Sequence, residues 1–151
     1  MTASASARKR VRPSYESSPV SYRITRAIIV FVMHLLYRYR ATGREKMPKA
    51  GPTIIAINHI HFFDPGVVVT AIRRRIYTLA AAKWRDNRLV NAFLRIAGTI
   101  YVRRGKVDRQ ALKDCLQVLR KGHALAIAPE GTRRRGKGLQ RAKPGLVYLA
   151  S

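Results

Sequence analysis

Between residues 53 and 128 the chain alternates short unbroken apolar runs with longer stretches whose apolar positions recur every three or four residues. The runs are 53–57 (TIIAI), 76–81 (IYTLAA), 99–102 (TIYV) and 123–128 (HALAIA). Their length and aliphatic, β-branched content predict buried strands. Helices are predicted between and after them. Residues 65–73 follow Asp64 as a cap and open on Pro65; residues 88–96 end at Gly98. Asp108 caps a third helix, in which Leu112, Cys115, Leu116 and Leu119 share one face and which Gly122 stops. Residues 145–151 read as the opening of a fourth. Strands alternating with helices predict an α/β domain, a layered sheet with flanking helices, over residues 51–151.

Ahead of the turn-like MPKAGP, residues 27–37 form an apolar run broken by His34 and flanked by Arg23, Arg26, Arg38 and Arg40 with Tyr22, Tyr37 and Tyr39. Crossing a bilayer takes roughly 20 apolar residues, so this run is read as too short to span. Residues 20–41 are expected to lie at the headgroup level as a membrane-associating helix, arginines on phosphates and tyrosines at the interface. A helix buried against the domain is the competing reading. Residues 1–19 are rich in Ser, Arg and Pro and predict a disordered basic arm.

Composition changes this picture in one respect. At 47% hydrophobic and 25% charged the chain is globular, but 31 Lys and Arg against 7 Asp and Glu give a formal net charge of +24. Nucleic acid and an anionic bilayer both reward such a charge. Cys115 is the sole cysteine, which excludes an internal disulfide and a multi-thiolate metal site.

The candidate chemistry sits directly after the first and fourth runs. In NHIHFFDP, residues 58–65, His59 and Asp64 can meet if the loop folds back on the strand end. A carboxylate on one imidazole nitrogen fixes the tautomer and leaves the other as a base. His59, His61 and Asp64 can also be imagined as metal ligands, but few residues exist to complete such a set, and no metal is expected. Neither G-x-S-x-G nor a Walker loop is present. In APEGTRRRGKG, residues 128–138, Gly131 permits close backbone approach, Thr132 offers a hydroxyl and Arg133 a fork matched to phosphate. A basic surface turn is the bland alternative, against which Glu130 argues. Arg104, at the end of the third run, is a further phosphate anchor or a solvent-facing arginine.

Three of these segments, in order, resemble the motif blocks of the glycerolipid acyltransferases, in particular the 1-acyl-glycerol-3-phosphate (lysophosphatidic acid) acyltransferases. Asn58, His59 and Asp64 match N-H-x-x-x-x-D. Gly98, Tyr101, Val102 and Arg104 match G-x-x-F-[IV]-x-R with Tyr for Phe. Pro129, Glu130, Gly131, Thr132 and Arg133 match P-E-G-T-R-S, with Arg134 in place of the serine. His61 stands where the family usually has a small polar residue. A fourth, Val/Pro/Ile-rich block is not found before Ser151, so the C-terminal part of the domain is expected to be missing.

The resemblance implies that His59, oriented by Asp64, deprotonates the free hydroxyl of 1-acyl-glycerol 3-phosphate, which attacks the thioester of acyl-CoA or acyl carrier protein to give phosphatidic acid. It implies that Arg104 and Arg133 hold the acceptor phosphate in a site shaped by Glu130, Gly131 and Thr132. It requires no cofactor beyond the acyl donor and no metal. Anionic membrane lipids, lysophosphatidate and the donor are the expected partners, nucleic acid is not, and peripheral attachment at the cytoplasmic membrane face is the expected location. The alternatives are an acyltransferase-like fragment that binds anionic lipid without turnover, and a basic nucleic-acid-binding protein.

Overall fold

The computed structural model describes residues 13, 15–105, 107–131 and 141–151. Four strands, β1 (Thr53–Ala56), β2 (Ile76–Ala81), β3 (Thr99–Val102) and β4 (Ala124–Ile127), form one parallel sheet in the order β1-β4-β2-β3. Every pairing is parallel, with Thr53 opposite Ala124, Ile76 opposite Ala124 and Thr78 opposite Thr99. The helices are α1 (Pro19–Leu36), α2 (Asp64–Ala71), α3 (Arg88–Ile96), α4 (Arg109–Arg120) and α5 (Gly145–Ala150). The predicted layered α/β sheet is therefore present, with β2 and β3 as predicted and the ends of β1 and β4 shifted by one residue.

Alternation along β4 explains the layering. Leu125 points to a core of Tyr77, Ile100, Cys115, Val118, Leu119 and Leu149, while Ala124 and Ala126 point the other way, to Ile76, Val68 and Ile72. The first core is roofed by α4 and α5, the second by α2. Parallel strands demand both roofs because each face of the sheet must be taken from water. Full burial of Ile76 or Leu125 stabilises by roughly 1.5–3 kcal/mol each. The small residues Ala124 and Ala126 let α2 sit close.

The reversal of strand order is the feature that positions the site. The chain crosses from β1 to β2, steps outward to β3, then returns to insert β4 between β1 and β2. Ligand crevices in open α/β sheets form outside the carboxyl ends of strands at such a switch point. The loops after all four strands gather there.

Helix ends follow local chemistry. Asn87 caps α3 by accepting from Val90 N–H, and Asp108 caps α4 by accepting from Ala111 N–H at 3.2 Å. Gly98, at φ +78°, closes α3, and a Cβ there would lie 3.3 Å from the Tyr77 ring, so glycine answers both the turn and the packing.

The N-terminal region departs from expectation in two ways. First, the helix expected over residues 20–41 ends at Leu36, five residues early: Ser18 caps it, Pro19 opens it, and it extends 18 residues. At that length it is long and apolar enough to cross a membrane by length and composition alone. Its contacts describe something else. Tyr22, Thr25 and Met33 are buried on one side, Arg26 donates to the Ile72 carbonyl at 3.1 Å, and the Tyr22 hydroxyl accepts from Ile76 N–H. Met33 lies so near Gly66 that a Cβ there would be 3.0 Å from its sulfur, which lets α1 and α2 pack closely.

Second, the last residues of the expected basic arm are tied down. Tyr15 is 1% exposed, packs edge-on against Tyr77 and donates to Gln117 Oε1 at 2.9 Å; Glu16 pairs with Lys121, and Ser17 accepts from Arg75. The tyrosine ring finds an apolar slot and its hydroxyl a partner, which outweighs the polar composition around it. Residues 1–12 lie outside the described residues.

Candidate active site

The loop from Ile57 to Phe63 leaves β1 and folds back on α2. Its organiser is Asp64. One carboxylate oxygen, Oδ2, accepts from Ile60 N–H at 2.7 Å, from His61 N–H at 2.8 Å and pairs with His59 Nδ1 at 3.0 Å. His59 and Asp64 are therefore brought together as their spacing predicts. Capping, however, is not what Asp64 does. The N-cap of α2 is Phe63, which supplies no side-chain bond, and Asp64 is the first helical residue. Three loop donors already occupy the carboxylate, and Pro65, lacking an N–H, reduces the number of helix donors that need a partner.

Electrostatics follow from these contacts. Burial acts to raise the Asp64 pKa, but the hydrogen bonds from His61, His59 and Ile60 outweigh it and hold the carboxyl below the usual carboxylate range. Asp64 is thus an anion at neutral pH. It holds Nδ1 of His59 as the proton-bearing nitrogen and faces Nε2 away, where it has no protein hydrogen-bond partner among the described residues. The two side chains are 19% and 22% exposed, sheltered yet reachable.

His59 stands at the rim of a cavity of about 870 Å³ beneath the carboxyl ends of the strands. Leu79, Val102, Leu112, Cys115, Ile127 and Leu149 make its interior apolar, while Arg104, Lys143 and Asp108 bring polar groups to its walls. Burial and the nearby Asp114 push the Cys115 thiol up to about 12, so it contributes as a small apolar side chain rather than a nucleophile.

The remaining sequence-predicted residues fare differently. Arg104 is exposed and lines the cavity. Gly131 also lines it, at φ +70°, in a turn closed by its N–H to the Ala128 carbonyl at 3.0 Å. Glu130 is buried in that turn. Thr132 and Arg133 lie outside the described residues. His61 spends its backbone N–H on Asp64 and stacks its ring on Phe63, centroids 5.5 Å apart. Among the described residues no group of three or more His, Cys, Asp or Glu gathers to hold an ion.

The fold adds Lys143, which sequence reasoning did not single out. Its backbone N–H bonds the Pro129 carbonyl at 2.9 Å, and its side chain lies against Gly131, where a Cβ would meet Lys143 Cε at 2.9 Å. A glycine here makes room for an ammonium at the cavity. Nothing local to Lys143 signals that role, because Gly131 precedes it by twelve positions.

Fold and site together define a class: a parallel α/β protein with an aspartate-held imidazole over an apolar cavity, ringed by cations. Comparison with known proteins narrows it. A family model described as Acyltransferase matches residues 38–151, and the chain belongs to that family. The match begins just beyond α1 and contains all three motif blocks. A curated 1-acyl-sn-glycerol-3-phosphate acyltransferase of Borreliella burgdorferi is 32% identical over 111 residues, covering 72% of this chain and 44% of that protein. The solved structure of the 1-acyl-sn-glycerophosphate (LPA) acyltransferase PlsC from Thermotoga maritima superposes with a TM-score of 0.70 at 23% identity, covering 85% of this chain and 52% of that one. At that identity the likeness speaks to the fold. The chain spans about half the length of these relatives.

Proposed function

We propose that this chain carries the catalytic half-site of a 1-acylglycerol-3-phosphate O-acyltransferase. The observation behind the proposal is the hydrogen bond of 3.0 Å between His59 Nδ1 and Asp64 Oδ2 at the rim of an apolar cavity. His59 Nε2 takes the proton of the acceptor's free hydroxyl. The resulting oxygen nucleophile attacks the thioester carbonyl of acyl-CoA or acyl carrier protein, the tetrahedral intermediate expels the thiolate, and the imidazolium returns its proton to that leaving group. The Asp64 anion stabilises the imidazolium between these steps.

Arg104 and Lys143 supply the charges for the acceptor phosphate, together with Arg133, in a site that Glu130, Gly131 and Thr132 shape. The cavity's size falls in the range of small-molecule sites and its lining suits an acyl chain. No cofactor beyond the acyl donor is needed, because the thioester is already activated. The product is phosphatidic acid, and the setting is phospholipid synthesis.

Attachment to anionic lipid completes the reading. Val20, Ile24, Ile28, Phe31 and Leu35 recur at spacings of four, four, three and four and are all exposed, forming an apolar stripe opposite the face docked on the domain. A helix with one face docked and the other apolar lies in the interface plane rather than across the bilayer. Peripheral attachment at the cytoplasmic face is the location this reading assigns.

The test is thiol release from a long-chain acyl-CoA with lysophosphatidate in anionic vesicles, for the parent chain and His59→Ala. Acceptor-dependent release that the substitution abolishes supports the proposal. Vesicle binding without release from either protein would instead favour a lipid-binding acyltransferase-like fragment.

A further inference from the structure

Membrane contact through the apolar stripe of α1 leaves a second apolar surface uncovered. Leu89, Phe93 and Ile96 recur at spacings of four and three on α3, and Leu89 is 84% exposed. No residue of α3 is buried. Beside the helix start, Phe62 of the catalytic loop is 56% exposed and meets Trp84, centroids 6.2 Å apart. Ile60, two residues before Phe62, is exposed as well.

These patches form one surface with α1. Helix α1 packs against α3, and Ser17 and Ser21 near its start share a shallow depression with Ala92, Arg95 and Ile96 near the α3 end. At the other end, Tyr37 meets Phe63 at 5.8 Å, Phe63 meets Phe62 at 5.4 Å, and Phe62 meets Trp84. An aromatic chain thus runs from the end of α1, through the loop that carries His59, to the turn before α3.

We infer that α3 and this aromatic chain are a second membrane contact, which seats the His59 loop at the headgroup level of an anionic bilayer. The inference rests on the acyltransferase reading and names the surface by which that site meets its acceptor. Charge selects lipid as the occupant. Arg85, Arg88 and Arg95 flank the apolar positions, and Lys83 Nζ lies 5.6 Å from the Trp84 ring centroid. Apolar side chains rimmed by arginines, with Trp and Phe at the boundary, match the gradient from acyl chain to phosphate in a bilayer surface. Two contacts set an orientation as well as an affinity: α1 alone permits rotation about its axis, whereas α1 with α3 fixes which loop faces the lipid.

Trp84 is the only tryptophan in the chain and reports on this surface directly. The experiment is Trp84 fluorescence of the full chain titrated with phosphatidylglycerol/phosphatidylcholine vesicles, with and without brominated acyl chains. It is run for the parent, for Leu89→Glu with Phe93→Glu, and for Leu89→Ser with Phe93→Ser. The expected result is a blue shift and bromine quenching in the parent, and at least a tenfold loss of vesicle affinity in both double variants. Turnover of a short-chain, water-soluble donor and acceptor pair is expected to be unchanged in them.

Vesicle binding with Trp84 emission unmoved and affinity equal in all three proteins overturns the inference. So does a loss confined to the glutamate variant, which would assign the effect to charge repulsion. A concentration-dependent blue shift without vesicles also overturns it, because a second copy of the chain would then cover the face. If no protein turns over any donor while quenching and affinity behave as stated, the catalytic reading falls and the membrane surface stands.

Discussion

Two loops of this protein are built from similar parts and hold different partners. After β1 and again after β3 the chain turns at the carboxyl edge of the sheet and places an aspartate at the start of a helix, Asp64 for α2 and Asp108 for α4. Both carboxyls are held below the usual range because hydrogen bonds, chiefly from backbone N–H groups, outweigh the burial that would raise them. Asp108 spends its oxygens on structure: Oδ1 accepts from Ala111 N–H, and Oδ2 from Arg103 N–H at 2.9 Å and Arg103 Nε at 3.3 Å. Asp64 accepts from Ile60 and His61 N–H and spends its third contact on an imidazole whose other nitrogen is available to a substrate. A lowered pKa therefore does not separate the two carboxylates; their donors do, and the catalytic role proposed for Asp64 works through a side chain that lines the cavity.

The largest way to test that contrast is to remove the imidazole. His59→Ala should lower the rate of thiol release by about 10²–10⁴-fold, the usual contribution of a positioned base, while stability falls by only about 1–2 kcal/mol for the lost hydrogen bond to Asp64. An activity loss under threefold would show that the dyad is not the base. Asp64→Asn comes next. It keeps an oxygen for the loop amides but gives up the charge that fixes the His59 tautomer and stabilises the imidazolium, and a fall in kcat of up to about 10⁴-fold is expected.

Asp108→Ala should invert the pattern. Activity on a soluble substrate pair should stay within a few-fold, while stability in urea falls by about 1–2 kcal/mol from the lost cap and the orphaned Arg103 N–H. The same variant gives a pH signature. A carboxyl whose folded pKa lies below its unfolded value, about 3.9, contributes stability that is fully present above that value. The contribution is lost as pH falls through the folded pKa. The stability gap between parent and Asp108→Ala should therefore be constant from pH 7 down to about 4 and shrink below it. A gap that stays constant at lower pH would show that Asp108 is not bound as its anion.

What the sequence shows and what it conceals divide along the range of the interactions involved. The Asp108 cap, the Gly98 and Gly122 stops and the strand cores depend on neighbours a few residues away, so they are legible. The meeting of His59 and Asp64 is legible for the same reason. Asp64 as a cap is a reasonable expectation from Pro65 next to it, and it fails because three donors within the preceding five residues compete for the carboxylate. Tyr15 is illegible as a buried residue because its partners, Tyr77 and Gln117, are supplied by β2 and α4. Lys143 beside Gly131 is concealed in the same way. The three ordered motif blocks make the family legible, but only the folded arrangement shows which donors each aspartate keeps.

The smallest expected effect separates the two kinds of donor within one loop. Arg103 binds Asp108 twice, through its backbone N–H and through a side chain that is 61% exposed. An exposed guanidinium in such a pair contributes little, since water screens the charge and ordering a long side chain opposes the gain. The backbone amide is held in place by the turn and survives any substitution. Arg103→Ala should consequently change stability by less than about 0.5 kcal/mol, well under the loss in Asp108→Ala, and leave the acid dependence nearly intact. If Arg103→Ala instead matched Asp108→Ala, the ion pair would be what anchors α4 to the end of β3. The two loops would then differ in charge pairing, and not in which group their backbone-held aspartate has to spare.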